Sequence, residues 1–195
     1  MGSSIVPINT KFLVTSDPRY ELDAASEVWH CLYVSNISNE IDIVFIRTRK
    51  KGIRGLFGVI FNEDALKAIR TIRTYLLKKP WILRYTHRII PIEIVSTKLD
   101  DIVDFISKVG PIRIGDGKWC VRVSKHSSGA SSRRIIDLIA KHIHYGEVSL
   151  EKPDWIINIE IIVDTYLASV ITPSDIIRKK TLWEELNKKR LLEYL

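Results

Sequence analysis

The chain has 195 residues, of which 46% are hydrophobic and 27% charged, the balance of a soluble globular protein with one large domain or two small ones. No apolar run reaches the length of a membrane span, and the start, Met1-Gly-Ser-Ser-Ile-Val-Pro7, lacks the basic-then-apolar order of a signal peptide, so a cytoplasmic protein is expected. The formal net charge of +7 is unevenly spread: residues 1–46 hold two Lys/Arg against six acids, residues 47–54 hold five basic groups, and residues 65–92 hold seven Lys/Arg plus His87 with no acid. Concentrated positive charge of this kind is the electrostatic footprint of a polyanion partner.

In chain order, residues 11–15 read as a strand, and 19–33 have helical spacing with Leu22, Ala25, Val28 or Trp29, and Leu32 on one side. Residues 41–49 form a second strand, and a basic, glycine-containing turn leads to a third at 56–61. Asn62-Glu-Asp64 opens a helix with acids in its first turn and with Leu66, Ile69, Ile72 (or Arg73) and Leu76 on its apolar side, and 82–94 is again extended. The order β-α-β-β-α-β predicts an α+β architecture that begins with a ferredoxin-like domain over residues 1–92.

The remainder, 93–195, reads as a second domain. A helix over 98–109 ends at Gly110-Pro111, a strand covers 119–123, a helix covers 131–144, and 147–150 is a short extended piece. Residues 155–163 and 166–171 make a hairpin turning at Asp164-Thr165. From Thr172 the chain enters a charged terminal helix. No flexible linker separates the two domains, so 85–91 is expected to join them rigidly. Cys31 and Cys120 stand far apart and read as buried small hydrophobes. The absence of glutamine, the single Met and the abundance of Ile, Lys and Arg fit a hot-living, archaeal source.

The helix at 131 opens Ser131-Ser-Arg-Arg134, although a helix N-terminus carries partial positive charge and favours acids. A phosphate there would satisfy the free N–H groups, the hydroxyls of Ser131 and Ser132, and the guanidinium groups of Arg133 and Arg134 together. Arg122 and Lys125 on the preceding strand extend this candidate surface, with His126 as a further RNA contact. Gly52-Ile-Arg-Gly55 reads as a tight turn between strands, since a KH-type loop joins helices; the partial RRM match at 54–61 puts Leu56 and Gly58 where stacking aromatics are required. The chain contains no Walker A, GxGxxG, GxSxG, HExxH or CxxC pattern, and its five His show no ligand spacing. A non-catalytic binder without cofactor or metal is expected.

The strand 121–126, the Ser-led helix after it, the turn Leu150-Glu-Lys-Pro-Asp154 ahead of Ile159-Glu-Ile161, and the closing strand 167–171 resemble a THUMP domain. That resemblance implies an N-terminal ferredoxin-like domain and binding of tRNA through its acceptor end with the unpaired CCA. Gly52-Ile-Arg-Gly55, Arg84-Tyr-Thr-His-Arg-Ile-Ile-Pro-Ile92 and residues 169–180 extend the likeness over nearly the whole chain. They make it similar to stand-alone THUMP proteins that assist N4-acetylcytidine formation in the tRNA D-arm as partners of a separate acetyltransferase. It departs from them in its short N-terminal part and in Ser96, where members often have Cys. The resemblance implies that Arg122, Lys125, Ser131, Ser132, Arg133, Arg134 and Lys141 grip acceptor-end phosphates while Arg84, His87 and Arg88 hold the adjacent helix. Other readings stay open: an adaptor for methylation or thiolation, an enzyme using acetyl-CoA or another donor, and a protein-interaction role for the terminal helix with Ile176, Ile177, Leu182, Trp183, Leu186, Leu191 and Leu192.

Overall fold

A computed structural model gives the structure of the chain and describes residues 5–47 and 52–193, with side chains through 188. In chain order the elements are β1 (Thr10–Ser16), α1 (Glu21–Val34), β2 (Asp42–Phe45), β3 (Leu56–Ile60), α2 (Ala65–Lys78), β4 (Thr86–Pro91), β5 (Ile94–Ser96), α3 (Leu99–Ile114), β6 (Lys118–His126), α4 (Ser132–Ala140), β7 (Glu147–Val148), β8 (Trp155–Ile162), β9 (Thr165–Ile171), β10 (Ile177–Arg178) and α5 (Lys179–Glu193). Over the described residues this is an α+β fold with two five-stranded sheets and five α-helices. Among the described residues no helix is long and apolar enough to cross a membrane.

The first sheet has the strand order β10-β4-β1-β3-β2. Alternation along its strands turns Phe12 and Val14 of β1, Phe57 and Val59 of β3, and Ile89 of β4 toward α1 and α2, which supply Ala25, Val28, Leu32, Ile69, Ile72 and Leu76 to one core. Helix α2 starts just after the acids expected in its first turn: Asp64 is instead the N-cap, its carboxylate accepting the Lys67 N–H at 2.8 Å. Helix α1 sits in a different phase from the expected one: Leu22 is 69% exposed, and the buried line is Glu21, Ala24, Ala25, Val28, Cys31 and Leu32. A carboxylate takes the buried position because it is satisfied there, accepting the Gly55 N–H and pairing with Arg47. Gly55 is required for that loop, having φ +69 and an approach to the Ser16 carbonyl that leaves no room for a β-carbon.

Two expectations about connections change. Residues 86–91, expected both as extended chain and as the rigid joint between the domains, are β4, an interior strand between β1 and β10. The end of the chain is not one continuous helix from Thr172: a single turn over Pro173–Asp175 leads into β10 and only then α5. Instead of staying with 93–195, β10 and α5 group with the first unit, and Ile92–Ser174 forms the body of the second. The attachment is specific: Ile177 lies opposite Ile89 in the sheet, Leu182 enters the core, and Asp175 and Glu185 pair with Arg70 and Arg73 of α2.

The second sheet has the order β5-β9-β8-β6-β7, with β6 parallel to both β7 and β8 and the β8–β9 and β5–β9 pairs antiparallel. Trp119, Val121, Ile157, Ile159, Ile161, Ala168 and Val170 line one face and pack with Ile102 and Ile106 of α3 and Ile135 and Ile139 of α4. Helix α3 runs through Gly110-Pro111 to Ile114. Gly110 serves packing rather than termination, since a β-carbon there would overlap the Tyr145 ring and hydroxyl. Conversely α4 ends at Ala140, short of the expected His144. The hairpin turns at Val163-Asp164, one residue early, with Ile162 paired to Thr165 and Val163 at φ +61.

Candidate nucleic-acid interface

The N-terminus of α4 gathers five of the candidate groups. Ser131 is the N-cap, with extended φ/ψ, and its hydroxyl accepts the Arg134 N–H at 3.4 Å. No acid occupies the first turn. Because Ile135 and Ile139 fix the buried side of the helix, Arg133 and Arg134 are left exposed and Ser132 half-buried. Lys125, at the end of β6, reaches across the intervening loop and donates its ammonium to the Ala130 carbonyl at 3.1 Å. Lys125, Ser131, Ser132, Arg133 and Arg134 therefore bound one cationic pole at a helix start, where the first N–H groups have no carbonyl acceptor within the helix, an arrangement suited to a phosphate.

Three other candidates lie elsewhere. Lys141 is the C-cap of α4, about 13 Å along the helix from its start, where a cation suits the dipole. Arg122 and His126 occupy the opposite sheet face from Val121, Val123 and Lys125, because strand residues alternate. There the Arg122 guanidinium bonds to the Cys120 thiol, partly offsetting the upward push that burial gives its pKa. The His126 ring lies 2.9 Å from the wholly buried Glu160 carboxylate, which also takes the Asn158 amide at 3.5 Å. His126 is thus held by a carboxylate rather than presented at the α4 pole. Among the described residues no group of three His, Cys, Asp or Glu could hold a metal ion.

A second cationic surface lies on the first unit. The Glu27 carboxylate accepts the consecutive backbone N–H groups of Arg84, Tyr85 and Thr86 at 2.9 to 3.2 Å, fixing the entry to β4. Arg84 and His87 are exposed and Arg88 is half-buried. The sequence reading missed the groups that complete this surface: Arg178 lies opposite Arg88 in the sheet, and the Lys179 ammonium donates to the Arg84 carbonyl at 2.7 Å. The signal was the pair Ile176-Ile177 ahead of a basic run, a short strand that reads equally well as the start of the charged helix.

The acid-free run 65–92 is less bare in space than in sequence. Arg70 donates twice to Asp175, at 2.8 and 3.1 Å, and Arg73 donates to both oxygens of Glu185. Of the group at 47–54, Arg47 is paired with Glu21, and Arg49, Lys50 and Lys51 lie outside the described residues, as do the side chains of Leu191 and Leu192.

The architecture has solved counterparts. PH1313 from Pyrococcus horikoshii Ot3 is similar with a TM-score of 0.58 and 15% identity, over 87% of this chain and 55% of that one. A 4-thiouridine synthetase in complex with RNA and bound ATP is similar with a TM-score of 0.51 and 10% identity, over 87% of this chain and 42% of that one. This chain spans about half the length of these proteins, and at such identity the likeness is one of fold. No protein-family profile and no curated protein sequence matches the chain. The chain shares the fold of the matching part of these proteins.

Proposed function

We propose that this chain is a tRNA-binding adaptor. It holds tRNA by phosphate contacts and offers it to a separate modifying enzyme, without chemistry of its own. The observation that carries the reading is the α4 pole, where Ser131, Ser132, Arg133, Arg134 and Lys125 meet at a helix start that has no acid. The run β1-α1-β2-β3-α2-β4 with strand order β4-β1-β3-β2 supports a ferredoxin-like domain beside the THUMP unit, the pairing that the sequence resemblance implies. The RNA bound by the similar 4-thiouridine synthetase supports RNA as the ligand class.

Within this reading the modification is acetylation of a D-arm cytidine to N4-acetylcytidine, carried out in the cytoplasm by a partner acetyltransferase. Phosphate contacts position a nucleic acid and do not specify it, so choice of tRNA comes from the unpaired CCA end and overall shape. The test is two-fold: salt-dependent binding of purified protein to tRNA, then loss of N4-acetylcytidine from tRNA in a strain deleted for the gene. The second reading, an adaptor for thiolation, is favoured by the fold likeness to the 4-thiouridine synthetase. It predicts loss of thiouridine and intact N4-acetylcytidine in the same strain.

A further inference from the structure

Beside the Arg84 loop two aromatic rings stack in the open. Tyr20 and Tyr85 lie nearly parallel, with centroids 4.3 Å apart and planes at 16°. Tyr85 is the inner ring, packed on the core. Its backbone is pinned by Glu27 on the N–H groups of residues 84 to 86 and by Lys179 on the Arg84 carbonyl. Tyr20 is the outer ring, 38% exposed, at the start of α1, where its N–H donates to Asp17 and its carbonyl accepts from Ala24. The Arg84 guanidinium sits 5.4 Å from the Tyr85 centroid and that of Arg19 6.0 Å from the Tyr20 centroid. Asp17 takes the Arg19 N–H at 3.0 Å and lies 3.8 Å from its guanidinium, holding Arg19 beside the ring.

We propose that the Tyr20–Tyr85 stack is a platform for an unpaired nucleobase of the bound RNA, with Arg19 and Arg84 taking the flanking phosphates. The inference rests on the tRNA-binding reading and adds to it a site on the first unit. A partly exposed ring backed by an anchored one, with a guanidinium over each, suits an unpaired base that displaces Arg19 from Tyr20 toward a flanking phosphate; single strands have free π-faces, whereas a duplex keeps its base faces covered. The site's inner ring is fixed before ligand arrives, so little order is lost on stacking. The other exposed stack on α1, Trp29 on Tyr33 at 5.1 Å, has no cation over either ring among the described residues, whereas Tyr20 and Tyr85 each have one, which makes it the poorer match to RNA.

The test measures binding of full-length tRNA, a short single-stranded RNA and a duplex of equal length by wild type, Tyr20→Ala, Tyr20→Leu and Tyr20→Phe. Tyr20→Ala and Tyr20→Leu should weaken binding to tRNA and single strand roughly 5-fold or more, leave the duplex and the salt slope unchanged, and Tyr20→Phe should match wild type. Tyr20→Leu keeps an apolar contact on Tyr85, so a loss shared by both variants is a loss of ring stacking. Wild-type tRNA binding with no loss in either variant overturns the platform alone, as does an equal loss on duplex and single strand. Absence of RNA binding by the wild type overturns both the platform and the adaptor reading.

Discussion

Arg70 of α2 and Asp175, which precedes β10, form a two-point ion pair across 105 residues of sequence, with the carboxylate 2% exposed and the guanidinium side chain 53% exposed. It ties the end of the chain to the first unit beside the apolar contacts of Ile177 and Leu182. Arg70→Ala takes two charge-assisted donors from a carboxylate that is out of water, so it should lower unfolding stability by about 2 kcal/mol. Urea titration reads this as an earlier midpoint. An unchanged midpoint would mean that the pair does not hold the segment.

Gly110→Ala should destabilise although it replaces glycine inside a helix, where alanine ordinarily gains about 1 kcal/mol. The added β-carbon meets the Tyr145 hydroxyl first and its ring next, and overpacking of that kind costs about 1–3 kcal/mol. Tyr145→Phe alone should be neutral or mildly stabilising, because that hydroxyl is buried without a hydrogen-bond partner among the described residues. Combining the two should recover part of the loss, measured as thermal midpoints around a double-mutant cycle.

Burial, reinforced by the nearby Glu27 carboxylate, pushes the Cys31 thiol up from 9.0 to about 12. A group whose pKa is higher in the folded state stabilises that state while it is protonated. Its contribution is complete below pH 9 and is lost as pH rises toward 12. Wild type should lose stability over that window more steeply than Cys31→Ala, whatever the variant's lower starting value. Native protein at pH 8 should also resist iodoacetamide at Cys31 and react once unfolded.

Arg133→Ala combined with Arg134→Ala should weaken tRNA binding and flatten the plot of log affinity against log salt by about one to two units. Both side chains are exposed, so the thermal midpoint should stay within experimental error. Arg70→Ala, whose guanidinium is committed to Asp175, should leave the salt slope as it is. Equal slopes for wild type and the Arg133/Arg134 variant would remove the α4 pole from the interface.

The sequence was most legible where pattern and local chemistry agree. The apolar spacing of α2, the serine start of α4 and the strand periods of β6, β8 and β9 all led to the elements observed. It was least legible where a distant residue decides the outcome. Leu22 looked like a core residue because nothing local shows that Glu21 is satisfied by Gly55 and Arg47. Gly110-Pro111 looked like a helix stop because the Tyr145 ring that requires the glycine lies 35 positions on. The basic run 65–92 looked uncompensated because Asp175 and Glu185 come from the end of the chain, and Arg178 and Lys179 escaped notice for the same reason. Within β6, Arg122 and His126 were grouped with Lys125 by sequence nearness, whereas alternation sends them to the other face.

The most direct measurement is a salt-series titration of the purified protein with full-length tRNA and with the same tRNA lacking its CCA end. The adaptor account predicts salt-sensitive binding that is tighter for the intact tRNA. Equal affinity for both would contradict recognition of the acceptor end and reduce the α4 pole to a generic basic surface, and absence of binding would contradict the account as a whole.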